Sequence, residues 1–223
     1  MKSYKSVCLT SFIFLHIAAF NIHAAEDLIP VARFNQIKNL AASGWQVKEW
    51  KGKADISLVN SSDTGQVLLL KSKGTSTGVY KDIELDIKKA PYLNWQWKVT
   101  KLPERGDVRS SSTDDQAAQI YVIFPKFPSQ VNSRILGYIW DTNAPKDSML
   151  TSTKFSKSKY VVIRSGQKGL GNWFSEKRNV YEDYKNLFKE EPPKVGRVSV
   201  MIDSDDTRSS AESYFGDIFF SKK

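Results

Sequence analysis

The sequence has almost no cysteine or histidine. Its one cysteine, Cys8, and its two histidines, His16 and His23, all lie close to the N-terminus. A chain that loses this segment contains neither residue type, which excludes Ser-His-Asp and Cys-His nucleophiles, histidine or cysteine zinc sites and disulfides. The chemistry left open is that of carboxylates, lysine, tyrosine and hydroxyl groups, or binding without catalysis.

Residues 1–24 have the pattern of a secretory signal peptide. Lys2 and Lys5 precede an apolar run over residues 7–20, and the small residue Ala24 follows it. The run is too short to span a bilayer comfortably. We therefore predict an exported chain, periplasmic or secreted, that does not span the membrane after cleavage and forms a single domain over residues 25–223.

The chain is basic, with a formal net charge of +9. A basic exported protein is attracted to anionic envelope polymers and acidic glycans, which are possible partners. The lysines are dispersed, however, and no block of five like charges occurs, as on ordinary solvated surfaces. No recognition motif for nucleic acid is present, so we expect no nucleic-acid partner.

The pattern of apolar and polar residues predicts an all-β fold, mainly antiparallel, with one or two short helices. Short runs of alternating apolar and polar residues, bounded by turn-forming residues, predict about ten strands. This number and spacing favour a β-sandwich or jelly roll. The predicted strands cover residues 45–50, 55–59, 66–71, 79–86, 92–99, 117–124, 135–140, 160–165, 197–203 and 214–221.

Two segments have helical patterns. Apolar residues at a spacing of three predict a short helix within residues 31–42. A second helix is predicted after Asn179, which can cap it with Glu182 three residues later, and Pro192 follows as a stop. Its apolar face would plug the core at one end or edge of the sandwich, through Val180, Tyr184, Leu187 and Phe188.

One predicted strand, residues 92–99, separates an apolar face from a polar face. Trp95 and Trp97 lie on the apolar face and are expected in the core. The polar face, with Gln96, is expected to line a concave surface, where aromatic rings and planar amide or guanidinium groups suit a sugar. The same argument selects Gln119, Tyr121, Tyr138, Trp140 and Arg164.

Two acidic segments are candidates for calcium binding or for acid and base chemistry. The first contains Asp114 and Asp115 and follows Arg109, and ordinary turn formation is the alternative. The second contains Asp203 and Asp205. It does not have EF-hand spacing, so calcium stays a possibility only outside that motif, and no other cofactor is expected. Ion pairs with Arg109, Arg164 or Arg178 are the alternative role of the second segment.

A glycine-containing loop over residues 164–173 lies between the two acidic segments. No Gly-Lys-Ser/Thr sequence follows its glycines, so it does not form a phosphate-binding loop. Trp173 ends this loop, and Glu176 and Arg178 come soon after it. We interpret the segment as a flexible loop that presents these three side chains at one end of the sandwich.

The sequence from Trp95 to the C-terminus resembles a bacterial exported family of unknown function, domain of unknown function family 3047. The resemblance implies a fold but no activity. The ending, residues 214–218, also resembles the final strand of galactose-binding-like jelly rolls, many of which are carbohydrate-binding modules. Asp206 stands where the family often has asparagine. The segments that carry the family resemblance are WQWKV, GDVRSSSTDDQAAQIYVIF, GYIWD, VVIRSG, GNWFSEKRNVYEDY, MIDSDDT and AESYFGDIFF.

Three functions remain open from the sequence. The first is a non-catalytic module that binds an envelope or extracellular glycan, on the concave sheet or at a loop end that contains Asp115, Trp173 and Arg178. The second is a glycan-active enzyme that uses Asp115 with Asp205 or Glu176, provided the two carboxyl groups face each other across a cleft. The third is a structural or assembly partner in the cell envelope.

Overall fold

The computed structural model describes residues 28–223, and the predicted signal peptide lies outside them. The described chain is a β-sandwich of two sheets with two helices. Its strands are β1 (Ile29–Ala32), β2 (Trp45–Lys51), β3 (Asp55–Ser61), β4 (Gly65–Lys73), β5 (Ser76–Leu85), β6 (Tyr92–Lys101), β7 (Ala118–Phe124), β8 (Arg134–Asp141), β9 (Met149–Thr151), β10 (Ser158–Ser165), β11 (Phe174–Asn179), β12 (Val195–Asp203) and β13 (Ser210–Ser221), and its helices are α1 (Ser129–Asn132) and α2 (Val180–Phe188).

The strands divide between two sheets. The first sheet has the order β11-β6-β13-β4-β3, and β1 pairs with the second half of β13. The second sheet has the order β2-β5-β12-β7-β8-β10-β9. Neighbouring strands are antiparallel except β8 and β10, which are parallel. The predicted all-β, mainly antiparallel sandwich is therefore confirmed, and every strand predicted from the sequence is present.

The core lies between the sheets and is rich in tryptophan. Trp95 and Trp97 of the first sheet are fully buried, as predicted. Trp95 stacks on Tyr138 of the second sheet at 5.3 Å between ring centroids, and Trp97 lies 6.1 Å from Trp140. Aromatic pairs in such contact add about 0.5–1.5 kcal/mol to the free energy of area burial. These rings join the two sheets across the sandwich.

Helix α2 begins where the sequence predicts it. The side-chain oxygen of Asn179 accepts a hydrogen bond of 3.1 Å from the backbone N–H of Glu182, as an N-cap does. Val180 and Tyr184 are fully buried in the core, so the helix covers part of the sandwich interior. Lys189 then ends the helix in the left-handed conformation, at φ 58°.

The short helix predicted within residues 31–42 is present only as 3-10 turns. The chain there finishes strand β1 and then makes two such turns, Phe34–Gln36 and Ala41–Ser43. Pairing of β1 with β13 fixes where the segment begins, and Phe34 is buried with its ring 5.9 Å from that of Trp45. Among the described residues, no helix has the length and apolar character needed to cross a membrane.

Candidate functional site

A groove of about 910 Å³ runs over the outer face of the second sheet. Strands β7, β8, β10 and β12 form its floor, β2 and β5 form one wall, and the chain between β9 and β10 forms the other. The hairpin that carries α1 closes one end. The side chains used below are Lys48, Trp50, Lys51, Tyr80, Asp82, Asp114, Gln116, Gln119, Tyr121, Lys154, Phe155, Tyr160, Arg197, Asp203 and Asp205.

The alternation of β7 builds the middle of the floor. Ala118, Ile120 and Val122 point into the core, and the residues between them face outward. Gln119 and Tyr121 therefore reach the groove. Successive side chains of a strand point to opposite sides. One face of β7 therefore contributes to the groove floor, and its other face contributes to the apolar core.

The absence of a side chain at Gly137 makes the floor concave. A Cβ there would lie 2.6 Å from Cε1 of Tyr121 and 2.7 Å from Cδ1 of Tyr160, closer than carbon atoms approach. The two rings lean over the glycine with their centroids 6.2 Å apart. A larger residue at position 137 would push both rings up into the groove.

Trp50 supplies the most exposed ring of the groove. It is 51% exposed, and a Cβ on Gly78 would lie only 3.3 Å from its ring, so the indole lies close over this glycine. The Nζ of Lys48 lies 5.0 Å from the ring centroid. Tyr80 continues the wall, with the guanidinium of Arg197 3.9 Å from its ring centroid. An exposed indole supported from below is a platform for an apolar ligand face.

A buried hydrogen-bond network joins the polar groups of the floor. Oδ1 of Asp203 accepts 2.7 Å hydrogen bonds from the backbone N–H of Gln116 and from Nε2 of Gln119. The hydroxyl of Tyr121 donates to Oε1 of Gln119. Nε2 of Gln116 donates to Oδ1 of Asp114 at 3.0 Å. Gln116 therefore links the two acidic residues and sets them side by side.

Burial changes the protonation of these carboxyl groups. Desolvation raises the pKa of Asp114 to about 6, although the hydrogen bond from Gln116 opposes the shift. Desolvation also raises the pKa of Asp203 well above its usual range, and the nearby charges of Asp115, Asp114 and Asp205 add to this. A carboxyl group whose pKa is raised in this way is protonated more readily than an ordinary aspartate, and it donates a hydrogen bond when protonated and accepts one when ionised.

The acidic loops meet behind the groove, where the sequence allowed a calcium site. Oxygens of Asp115, Asp205 and Asp206 lie within 4.8 Å of one another. Asp115 accepts hydrogen bonds from the backbone N–H groups of Asp206 and Thr207, at 3.2 and 2.6 Å. Asp205 pairs with Lys51, and Asp206 pairs with Lys154. A cation would have to displace these contacts, which already brace the two loops against each other.

Only four of the predicted site residues line the groove: Gln119, Tyr121, Asp203 and Asp205. Trp140, expected on a ligand surface, is instead fully buried, because alternation along β8 turns it toward the core. Gln96 lies on the first sheet and donates to Ser175 at 3.3 Å. Trp173 lies beside Lys98, which is 5.2 Å from its ring centroid. These positions correct the expectation for Gln96, Trp140 and Trp173, since none of them faces the groove.

The remaining predicted residues are held in ion pairs outside the groove. Nε of Arg164 donates to Glu176 at 2.6 Å, and Glu176 also accepts from Nε1 of Trp97 at 3.2 Å. Arg178 makes two hydrogen bonds to Asp183, at 3.0 and 2.7 Å. Arg109 pairs with its loop neighbour Asp107. The arginines are paired, as the alternative reading of the sequence allowed, but not with the acidic residues named there.

Several residues of the groove escaped the sequence prediction, and Trp50 is the most important. A signal for it was present, because Trp45 and Trp50 are five positions apart and so lie on opposite faces of one strand. Trp45 is buried, which leaves Trp50 outside. Tyr160, Phe155 and Lys154 carried no such signal, since they come to the groove only through the pairing of β10 with β8.

The chain is thus a two-sheet β-sandwich with an aromatic and acidic groove on one outer face. It belongs to the family described as protein of unknown function (DUF3047), whose model matches residues 43–219. The resemblance seen in the sequence is confirmed, and the match includes every strand that lines the groove. No curated protein matches the chain in sequence.

Solved structures similar to the chain include three carbohydrate-binding modules. The family 11 module of the cellulosomal cellulase Lic26A-Cel5E of Clostridium thermocellum has 9% identity and a TM-score of 0.49, over 89% of this chain and 96% of that chain. The family 30 module of a cellulosomal cellulase of the same organism has 11% identity and a TM-score of 0.47, over 81% and 92%. The CBM22-1 xylan-binding domain from Paenibacillus barcinonensis has 9% identity and a TM-score of 0.42, over 88% and 95%.

Proposed function

We propose that the chain is a non-catalytic module that binds a glycan in the groove of the second sheet. The observation that carries the proposal is the combination, in one groove, of exposed aromatic rings with a floor of amide, hydroxyl and carboxyl groups. A sugar ring offers an apolar C–H face and a rim of hydroxyl groups. The first packs on aromatic rings, and the second exchanges hydrogen bonds with planar polar side chains.

The groove divides these two tasks between its wall and its floor. Trp50 on the wall offers an indole face that is half exposed before any ligand binds. Covering it removes apolar area from water at roughly 25 cal/mol per Å². In the floor, the side chain of Gln116 is already oriented by Asp114 and that of Gln119 by Asp203, so they lose little conformational freedom when a hydroxyl group arrives.

The groove is a better ligand site than the loop end suggested by the sequence. That end would need Asp115, Trp173 and Arg178 to converge, but Asp115 is fully buried behind the groove. Trp173 contacts Lys98 and Tyr214 of the first sheet, and Arg178 is held by Asp183. Each of these side chains is used by the fold on a different element.

The carboxylates proposed for hydrolysis do not support an enzyme mechanism. Both oxygens of Asp115 accept backbone hydrogen bonds, and its side chain is fully buried. Glu176 belongs to the other sheet, where Arg164 and Trp97 hold it. A glycosidase needs its two carboxyl groups roughly 5–9.5 Å apart across one substrate cleft. Neither pairing that includes these residues offers such a cleft, so we favour binding.

The proposal includes export of the chain, because an envelope or extracellular glycan lies outside the cytoplasm. It rests on the signal-peptide pattern of residues 1–24. N-terminal sequencing of the chain recovered from the periplasm and from the culture medium tests it. Recovery of the full chain, uncut, from the cytoplasmic fraction alone would contradict export.

Substitution of Trp50 tests the binding proposal. We expect retention of the purified chain by at least one of a panel of neutral, amino and acidic polysaccharides embedded in native gels. Trp50→Ala should weaken that retention about tenfold or more, because the main stacking face is lost. Val47→Ala is the matched control, since Val47 is 54% exposed on the same strand but does not line the groove.

Two results would count against the proposal. In the first, no polysaccharide of the panel retards the unmodified chain. In the second, Trp50→Ala and Val47→Ala lower retention equally, which would place the ligand away from the groove.

A further inference from the structure

Most charged groups of the groove already have a partner of opposite charge. Lys51 pairs with Asp205, Lys154 with Asp206, and Arg197 with Asp82. Lys48 lies over Trp50. Among the charged residues that line the groove, this leaves Lys48, Asp114 and Asp203 outside an ion pair, and of these the two aspartates lie together in the floor while Lys48 lies on the wall.

Asp114 and Asp203 differ from an ordinary acidic surface cluster. They are only 5% and 7% exposed, yet both line the groove. Their Oδ1 atoms accept hydrogen bonds from Gln116 and Gln119. Their Oδ2 atoms accept no hydrogen bond from another group in residues 28–223. Two buried carboxyl groups therefore each keep one oxygen for a ligand.

Keeping two such groups together is costly for the folded chain. Like charges that lie close together raise each other's pKa, and burial adds to the effect. Lys154 acts on Asp114 from the chain between β9 and β10, but its Nζ is held by Asp206. Tyr121, Tyr160 and Asp141 also face these carboxyl groups and bring no positive charge. A cationic group in the groove would remove this cost.

An ammonium group fits the site better than a hydroxyl group does. It brings a full positive charge and three donors, so it can make charge-assisted hydrogen bonds to free carboxylate oxygens. The rings of Tyr121 and Tyr160 flank the floor and add a favourable cation-π environment. A sugar hydroxyl supplies one donor and no charge. A carboxylate or sulfate on an acidic glycan would be repelled.

We infer that the groove selects a glycan with a free, positively charged amino group, seated over Asp114 and Asp203. The inference rests on the proposed function and narrows its ligand class to an amino sugar that is not acetylated. Under this inference, the groove binds cationic groups, whereas the net positive charge of the whole chain attracts anionic ones. An anionic polymer attracted by the net charge of +9 would have to bind elsewhere.

The test compares three ligands that differ in one substituent. We would titrate the chain at pH 6 with β-1,4-linked hexasaccharides that carry a hydroxyl, an acetamido or an amino group at C2, which are cellohexaose, chitohexaose and the glucosamine hexamer. The expected result is at least tenfold tighter binding of the amino form. Equal or weaker binding of the amino form, with measurable binding of another form, overturns this inference and leaves the proposed function in place. Absence of binding by all three overturns this inference if the polysaccharide panel retains the chain, and contradicts both proposals if the panel does not.

Substitutions then locate the preference. Asp114→Asn and Asp203→Asn remove a charge but keep the acceptor for Gln116 and Gln119, so each should lower affinity for the amino form about tenfold and for the hydroxyl form less than threefold. Asp217→Asn, a carboxyl-to-amide change on the first sheet, is the matched control and should change neither. Loss of affinity for both ligand forms to the same extent would contradict a charge-based role.

A second measurement uses the unmodified chain, in case a variant does not fold. Binding of a cation favours the ionised form of Asp114, so the amino form should release protons near pH 6. Calorimetry in buffers of different ionisation enthalpy measures this release. Proton release that is the same for the amino and hydroxyl forms would overturn the inference.

Discussion

At the scale of single residues, the groove depends on positions that lack a side chain. Gly78 lets the Trp50 indole lie close to the sheet, and Gly137 lets Tyr121 and Tyr160 lean together. At Gly137 the two tyrosine rings take the space of the missing Cβ, and at Gly78 the Trp50 ring and the backbone oxygen of Val200 lie close to it, at 3.3 and 2.9 Å. The shape of the ligand surface is therefore set by two residues that carry no chemistry.

Replacement of Gly137 tests this dependence. The Cβ of Gly137→Ala would lie 2.6 and 2.7 Å from the two tyrosine rings, so both rings must move into the groove. We expect a loss of about 1–3 kcal/mol in the free energy of unfolding, as for overpacking in a core. Glycan affinity should also fall, by about tenfold, in the retention assay.

Gly216→Ala is the matched control for this prediction. Its Cβ would lie 2.8 Å from Oε1 of Gln96, a similar clash on the first sheet. We expect it to destabilise the chain but to leave glycan affinity unchanged. Unchanged affinity in Gly137→Ala would show that the two tyrosines are not part of the ligand surface.

The sequence identified suitable residue types but not their partners. Arg164, Glu176 and Arg178 have the chemistry of a binding site, and each is held in a structural ion pair. Whether a polar side chain is free depends on what the fold places within about 3 Å of it, and those neighbours are distant in sequence. Trp97 and Glu176, which are hydrogen-bonded, are 79 positions apart.

At the scale of elements, the alternation of apolar and polar residues is enough to predict a strand that has one buried face. Strands β6 and β7 alternate along their whole length and were predicted within two residues of their ends. Strand β11 was missed because its sequence, FSEKRN, is polar and highly charged. It exists because it pairs with β6 from residue 174 to residue 179, at the edge of the first sheet. Pairing, rather than its own pattern, makes it a strand.

The start of helix α2 can be predicted from the sequence because its capping residue, Asn179, is local to it. Asn179→Ala removes the acceptor for the Glu182 N–H, so we expect a loss of about 1 kcal/mol in the free energy of unfolding. Urea denaturation followed by circular dichroism measures this loss. Asn172→Ala, at an exposed position of the preceding loop, is the control and should change stability by less than about 0.5 kcal/mol. An equal effect of the two substitutions would argue against the cap.

At the scale of the whole molecule, the groove arises from strand order, which the sequence does not show. Its floor needs β12, β7, β8 and β10 on one sheet, although β10 and β12 are separated in the chain by β11, which belongs to the other sheet. The concave ligand surface was predicted as a kind of site, but residues of both sheets were combined in it. Alternation tells which side chains are outside, and only topology tells on which side of the sandwich they lie.

The acidic floor also gives the molecule a pH-dependent stability. The pKa of Asp114 rises from 3.8 to about 6 on folding, and the pKa of Asp203 rises further above its usual range, both mainly through burial. The folded chain therefore binds more protons than the unfolded chain between pH 4 and 6, and its stability falls as pH rises through this window. Asp114 alone accounts for about 2–3 kcal/mol of this fall.

Other carboxyl groups act in the opposite direction at lower pH. The hydrogen bond from Arg109 lowers the pKa of Asp107, and the hydrogen bond from Lys194 lowers the pKa of Glu84. Their contribution to stability is present above the unfolded pKa and is lost as pH falls through the folded pKa. The free energy of unfolding should thus be greatest near pH 4, at the lower edge of the window in which ionisation of the groove acids destabilises the chain, because the paired acids have already begun to ionise there.

Urea denaturation of the unmodified chain and of Asp114→Asn tests this balance. Stability of the unmodified chain should fall between pH 4 and pH 8, and the fall should be smaller by about 2 kcal/mol in Asp114→Asn, which cannot ionise at that position. Asp63→Asn, at an exposed position of the turn between β3 and β4, serves as the control and should leave the fall unchanged. Stability that rises from pH 4 to pH 8 would mean that the groove acids are already compensated, and a charged ligand would then gain nothing from them.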